Sequence, residues 1–267
     1  MNENQIILID KPAGISSFGV VAKVRTKLRD EFGHKVKVGH TGTLDPFATG
    51  LLILLSGKMT KESSKFLKLD KVYEATLKLG YISSTGDPEG IITEYTFSGH
   101  SEPFSKKKVS DSPDFYNISP LKNSTSEASI KNFSEAENVV KINPREYYLR
   151  PEKVHSVINL FKGTIEQTPP RFSAIKINGQ RAYKLARKGQ DFEIPSRKVE
   201  IYSIDILHYD YPELTIKVHC SSGTYIRTLA EDIGKALHTG AYLTALRRTK
   251  IGNYDISSAR PLADFAK

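Results

Sequence analysis

The sequence predicts an α+β fold, with strands and helices mixed along the chain rather than alternating strictly. Tyr73 to Leu79 alternates without a break: Tyr73, Ala75, Leu77 and Leu79 lie on one face, and Glu74, Thr76 and Lys78 on the other. That period of two marks a half-buried strand of an antiparallel sheet. Two other stretches carry helical spacing, Val20, Val21, Val24 and Leu28 early in the chain and Ile226, Leu229, Ala230, Ile233 and Leu237 late in it. Lys198 to Leu207 and Leu214 to Cys220 read as consecutive strands with no helix between them, so hairpins as well as helices join the strands.

The remaining elements follow in order. Gln5 to Ile9 is a short buried strand closed by Asp10-Lys11-Pro12. Ser16 and Ser17 are placed to cap the first helix. A glycine-rich loop from Gly39 to Gly50 leads into a strand over Leu51 to Leu55. Between about 97 and 150 serine, asparagine, lysine and proline dominate and no period holds. This segment is expected to be an inserted, partly disordered loop, because it has too little apolar surface to offset the entropy of ordering it. A helix is expected from Pro151, with Val154, Val157, Ile158 and Phe161 on one face and Gly163 at its end. Phe172 to Ile177 reads as a strand entering a tight Asn178-Gly179 turn. Arg181, Lys184, Arg187 and Lys188 then give a helix a basic stripe, and Tyr242 to Ile251 is the last strand.

Composition narrows the function. Of 267 residues 39 are Lys or Arg and 30 Asp or Glu, a formal charge of +9, which favours a polyanionic partner. The one cysteine, Cys220, excludes an intramolecular disulfide framework and a cysteine-cluster zinc site. The N-terminus lacks a signal-peptide pattern, and the longest apolar run, Leu51 to Leu55, is far below the roughly 20 residues that cross a bilayer. The expected setting is therefore cytoplasmic, with no membrane partner.

Familiar signatures fail on inspection. Gly50…Gly57-Lys58-Met59 has six residues between its glycines and methionine where a phosphate-binding loop needs a hydroxyl. His219-Cys220 has no partners at metal spacing, and no Gly-x-Ser-x-Gly nucleophile elbow occurs. The segment that stands out is Gly39-His40-Thr41-Gly42-Thr43-Leu44-Asp45-Pro46-Phe47-Ala48-Thr49-Gly50. By itself it reads equally as an ordinary turn in which Asp45 bonds its own backbone, or as a rigid loop holding Asp45 against a substrate, where a carboxylate can act as a nucleophile.

That segment resembles the catalytic signature of the TruB family of tRNA pseudouridine-55 synthases, and further segments resemble the family in the same order. They are Lys11-Pro12-Ala13-Gly14-Ile15-Ser16-Ser17, Lys71-Val72-Tyr73-Glu74-Ala75 with Leu79-Gly80, and Ser84 to Gly90. Gln167 to Lys176, Ser222 to Leu229 and Leu243 to Arg248 complete the series. The resemblance covers nearly the whole chain outside the 97–150 segment.

The resemblance implies a pseudouridine synthase fold, a mixed and mostly antiparallel sheet flanked by helices and loops. Residues 1–267 would form the catalytic domain, interrupted at about 97–150, without a complete C-terminal PUA-type domain. It implies isomerisation of uridine at position 55 in the tRNA T-loop, with base flipping, no cofactor and no metal. The enzyme would work as a monomer on the T-arm, with no obligate protein partner. Asp45 matches the catalytic aspartate, which attacks the sugar C1′ or the base C6 or assists a glycal-type elimination. Arg227 matches the arginine that pairs with it, and Tyr73 the tyrosine that stacks on the target base. Tyr225 and Leu246 match positions lining the pocket, His40 the histidine that enters the T-loop, and Asp87 an acidic position near the site. Lys11 would support the loop or touch phosphate, and the 181–188 stripe with Arg247, Arg248 and Lys250 suits backbone phosphates. Read without the resemblance, the basic balance equally fits a non-catalytic RNA-binding module, and a carboxylate beside a sugar a nucleoside hydrolase.

Overall fold

The computed structural model describes residues 2–96, 149–177 and 179–265. The segment expected as an insertion thus falls almost entirely outside the described residues. Fourteen strands are found among the described residues: β1 (Ile6–Lys11), β2 (Val38–His40), β3 (Thr49–Ser56), β4 (Lys71–Leu79), β5 (Tyr81–Ser83), β6 (Ile92–Glu94), β7 (Gly163–Gln167), β8 (Lys176–Ile177), β9 (Gln180–Arg181), β10 (Arg197–Asp210), β11 (Glu213–Cys220), β12 (Ala241–Ile251), β13 (Tyr254–Asp255) and β14 (Arg260–Pro261). The α-helices among them are α1 (Ser17–Phe32), α2 (Ser63–Leu67), α3 (Pro151–Asn159), α4 (Ala182–Arg187) and α5 (Ile226–Ala236).

One ten-stranded sheet runs β14-β1-β3-β12-β4-β11-β10-β7, with β2 on β3 and β13 on β12. Only β1 with β14 and β3 with β12 pair in parallel, so the expected mixed, mostly antiparallel sheet is present. The continuous apolar run in β3 follows from cover on both faces. Leu52 and Leu54 pack with Val20, Val21, Val24 and Leu28 of α1, while Leu51, Ile53 and Leu55 pack with Phe66 and Ile251. β4 shows the predicted alternation, with Tyr73, Ala75, Leu77 and Leu79 buried against α3 and α5. Ser16 caps α1 by accepting from the Gly19 amide at 3.0 Å.

Several boundaries differ from the sequence reading, and β1 is one, since it takes in Asp10 and Lys11. The expected Gly39–Gly50 loop is shorter, because Gly39 and His40 pair with β3 and Thr49 and Gly50 open it. The third helix ends at Asn159, and Gly163 instead begins β7. Phe172 to Ile177 is not a strand over its length. Ser173 O and Ile175 O accept from Tyr183 and Ala182, so the segment bonds back to its own return limb and only Lys176–Ile177 pairs as β8. The basic stripe accordingly spans a six-residue helix, with Arg181 outside it at the end of β9.

Gly50 holds two strands in register. Its φ is +102°, and a Cβ there would lie 2.3 Å from the Arg248 carbonyl oxygen. Gly50→Ala is expected to destabilise the fold by about 3 kcal/mol, from backbone strain and overpacking together. A urea midpoint equal to that of the parent protein would show that β3 and β12 separate freely at this point.

Candidate active site

Residues 41–48 form a loop held from every side. Thr41 donates its amide and its hydroxyl to Ile53 O at 3.0 and 3.3 Å. Ser17 Oγ accepts from Leu44 N at 2.8 Å and donates to Leu44 O at 2.9 Å, tying the loop to the start of α1. Gly14 N donates to Pro46 O at 2.9 Å. Lys11 Nζ, fully buried, donates to Pro46 O at 3.1 Å and to Pro12 O at 2.8 Å. Both bonds tie Lys11 to the backbone on either side of the loop's base. Leu44 and Ala48 anchor the loop in the core, and the Asp45 side chain is left half-buried, 31% exposed.

Arg227 meets it from the first turn of α5. Arg227 Nε lies 3.1 Å from Asp45 Oδ2, and Nη2 lies 3.4 Å from Oδ1, a two-point pair. Nη1 reaches Asp87 Oδ2 at 3.3 Å and donates to Thr85 O at 3.0 Å, and Nη2 donates to Phe172 O at 2.8 Å. The guanidinium is 5% exposed, so it is no surface arginine. Asp87 is itself buried and accepts from Thr85 Oγ1 at 2.5 Å and from Glu89 N at 3.1 Å. Two carboxylates therefore share one buried cation. Burial pushes the Asp45 carboxyl above its ordinary value. Arg227 pulls it back, Asp87 pushes it further up, and Lys11 and Arg248 oppose the rise.

The other residues singled out in the sequence border this group. Tyr73 and Leu246 lie in the same buried cluster as Leu44 and Ile226, so both face the aspartate loop's side of the sheet. Burial pushes the Tyr73 phenol well up, and it stays protonated. His40, at the end of β2, holds the loop through its Nδ1, which accepts from Gly42 N at 3.4 Å. Burial lowers its pKa, with Arg248 and Arg181 adding to the fall, so the imidazole is neutral. Tyr225 caps α5 beside Arg227, its ring under the Arg197 guanidinium at 4.9 Å.

Two site residues have no role in the sequence reading. Gln167, fully buried at the end of β7, donates to Tyr225 O at 2.9 Å and accepts from Tyr225 N at 2.7 Å, which fixes the turn that presents Arg227. Thr85 orients both Asp87 and Arg227. The Gln167 side chain finds its partner 58 positions away, and Thr85 meets Arg227 through its backbone carbonyl, so spacing alone carries no signal of either contact.

The basic residues divide. Arg181, Lys184, Arg187, Lys188 and Lys250 are exposed. Arg247 pairs with Asp10 at 2.7 Å, and Arg248 is 1% exposed. The expectation that Arg248 meets a phosphate is thereby overturned: its donors go to Leu51 O and Gly42 O inside the protein. Among the described residues no helix is long and apolar enough to cross a membrane.

Known proteins resemble this chain over nearly its whole length. The model of the TruB family pseudouridylate synthase N-terminal domain matches residues 29–117 and 122–226, and that of the tRNA pseudouridylate synthase B C-terminal domain matches 227–267. The tRNA pseudouridine synthase B of Endomicrobium trichonymphae is 37% identical, over 98% of this chain and 91% of that protein. That of Flavobacterium johnsoniae is 38% identical, over 98% and 95%. Among solved structures, a crystal structure of a Cbf5-Nop10-Gar1 complex shares the fold, with a TM-score of 0.60 at 24% identity over 98% of this chain and 53% of that one. With the two family models together matching most of residues 29–267 and relatives aligned over nearly their full length, the chain belongs to the TruB family of pseudouridylate synthases.

Proposed function

We propose that this chain isomerises uridine to pseudouridine at position 55 in the T-loop of tRNA, with Asp45 as the group that acts on the target nucleoside. The observation that carries this reading is the half-exposed Asp45 carboxylate on an immobilised loop, gripped at two points by a buried arginine. The pair keeps the carboxylate oriented in a partly desolvated pocket, as a nucleophile or base requires.

The reaction conserves atoms apart from one exchangeable hydrogen. The bond from C1′ to N1 breaks, the detached uracil turns, a bond from C1′ to C5 forms, and the hydrogen on C5 leaves as a proton while N1 gains one. Asp45 serves this sequence by attack on C1′, by attack on C6, or by taking a sugar proton in a glycal route. Tyr73 supplies an aromatic face for a base taken out of its stack, and Leu246 and Tyr225 bound the same pocket. Asp87 takes part through Arg227, and Lys11 through the loop it supports. His40, as a neutral imidazole, is suited to enter the T-loop without an added charge. The exposed cations from Arg181 to Lys188 suit the phosphates of the T-arm. Residues 1–267 act in this reading as one catalytic domain.

The test is release of tritium from tRNA transcripts labelled at uridine C5. Release in proportion to T-loop uridine supports the reading. Tight tRNA binding without release would make the chain an RNA-binding module, and free uracil would make it a hydrolase.

A further inference from the structure

The reaction as laid out leaves Arg248 without a part, yet it is among the largest fully buried side chains of the protein. Its Nε donates to Leu51 O at 2.8 Å and its Nη2 to Gly42 O at 3.2 Å. In the sheet it stands opposite Tyr73 on β4 and opposite Gly50 on β3. One residue therefore joins the strand that carries the tyrosine, the strand that leaves the Asp45 loop, and the loop itself. Cross-strand neighbours in an antiparallel pair project side chains from the same face, about 5 Å apart at Cβ, so the Arg248 and Tyr73 side chains share one face of the sheet.

Among the described residues no carboxylate lies within ion-pairing distance, 4.0 Å, of Arg248, whereas Arg227 nearby has two. A buried cation without a counterion is expensive unless its donors are satisfied, and an apolar side chain of similar size would avoid the cost. What an apolar side chain cannot do is bond two separate backbone segments at once. The planar fork of a guanidinium does so in a fixed geometry, and an ammonium does not.

We propose that Arg248 is a positioning residue for the isomerisation, holding the Tyr73 side chain at a set distance from the Gly42 to Leu51 backbone so that a base stacked on Tyr73 meets the Asp45 carboxylate. It works through Tyr73 and the loop and does not touch the RNA. The Tyr73 phenol, raised by burial, is drawn back by the charge of Arg248, as expected of groups facing each other across the strand pair. The inference rests on the roles given above to Asp45 and Tyr73.

The experiment combines a spectroscopic and a kinetic measurement on the full chain. Protein labelled with 13C at the tyrosine ζ carbon is compared with Arg248→Lys and Arg248→Met, the Tyr73 signal being assigned from its loss in Tyr73→Phe. The proposal expects the Tyr73 signal to shift in both variants while the other tyrosine signals stay. It also expects the single-turnover rate of tritium release to fall about 100-fold, the scale for displacing a reacting group by about 1 Å, with the Kd for tRNA unchanged. If Arg248→Met does not fold, Arg248→Lys carries the test, because it keeps the charge and loses the fork.

An unmoved Tyr73 signal would overturn the proposal. So would a general shift of all tyrosine signals, which marks a merely structural residue. A wild-type rate in Arg248→Lys, or a weakened Kd at an unchanged rate, would also overturn it. The tyrosine signal is read without turnover, so a failure of the catalytic assignment to Asp45 appears in the rate alone and is distinguishable.

Discussion

Asp45→Asn is expected to lower turnover by about 10⁴-fold, the scale found when a group that reacts directly is removed. Binding of tRNA should be nearly unchanged. The loop owes its shape to Ser17, Thr41, Lys11 and Gly14, whose bonds go to the backbone of Leu44, Ile53 and Pro46 and not to the Asp45 carboxylate. The amide therefore replaces the carboxylate in an undisturbed frame. Single-turnover tritium release and filter binding measure the two quantities side by side. Turnover at the parental rate would remove Asp45 from the mechanism.

The pH dependence of the same residue has a definite sign. Because burial raises the Asp45 pKa above that of a free aspartate, the ionised form is lost at a higher pH as acid is added. The acid limb of kcat/KM should therefore lie above the range of an ordinary aspartate. A folded-state pKa above the unfolded one also means that the protonated form is favoured on folding. That contribution to stability is present below the unfolded pKa and is lost as pH rises through the folded one. At neutral pH the ionised Asp45 is thus a cost to the fold. Asp45→Asn is accordingly expected to unfold at or above the parental temperature at pH 7, a trade between stability and activity that a purely structural aspartate would not show.

Arg227→Met is expected to destabilise the protein by about 3–5 kcal/mol, the scale for removing one partner from a buried ionic group. The substitution fills much of the same volume. It leaves Asp45 and Asp87 facing each other without their shared cation, and it strips Thr85 O and Phe172 O of a donor. Freed of Arg227, the Asp45 carboxyl loses the charge that opposes its upward shift and titrates at higher pH. The deficit should therefore be largest at neutral pH, where Asp45 is ionised, and should shrink as acid protonates it. Urea midpoints at two pH values measure this directly. A loss of stability independent of pH would show that Arg227 acts through its packing and its carbonyl partners, and not through its charge. Activity should fall together with stability, because Asp45 loses the group that orients it.

Much of this was legible in the chain. The alternation from Tyr73 to Leu79 and the helical spacing of Ile226 to Leu237 follow from burying one face of an element, which local periodicity records. The Asp45 loop was legible as an unusual run of glycine, threonine and proline, and six collinear segments pointed to its family. The extent of elements was less legible. Whether Gly39 and Thr49 belong to a loop or to strands depends on pairing with residues elsewhere, and Phe172 to Ile177 was drawn off by its own return limb.

Charge was the least legible property. Lys11, Arg227, Arg247 and Arg248 are alike in sequence as basic residues, yet one braces a loop, one grips Asp45, one pairs with Asp10 at the surface and one lies wholly inside the protein. The sequence by itself determined most of the strands and helices and singled out the Gly39–Gly50 loop as unusual, because hydrophobic period and turn residues act over a few positions. Only the tertiary structure decided which cations face solvent, which carboxylates share an arginine and what Arg248 holds. Those are set by contacts between residues up to 237 positions apart, most of them brought together around the β3–β12–β4 core of the sheet.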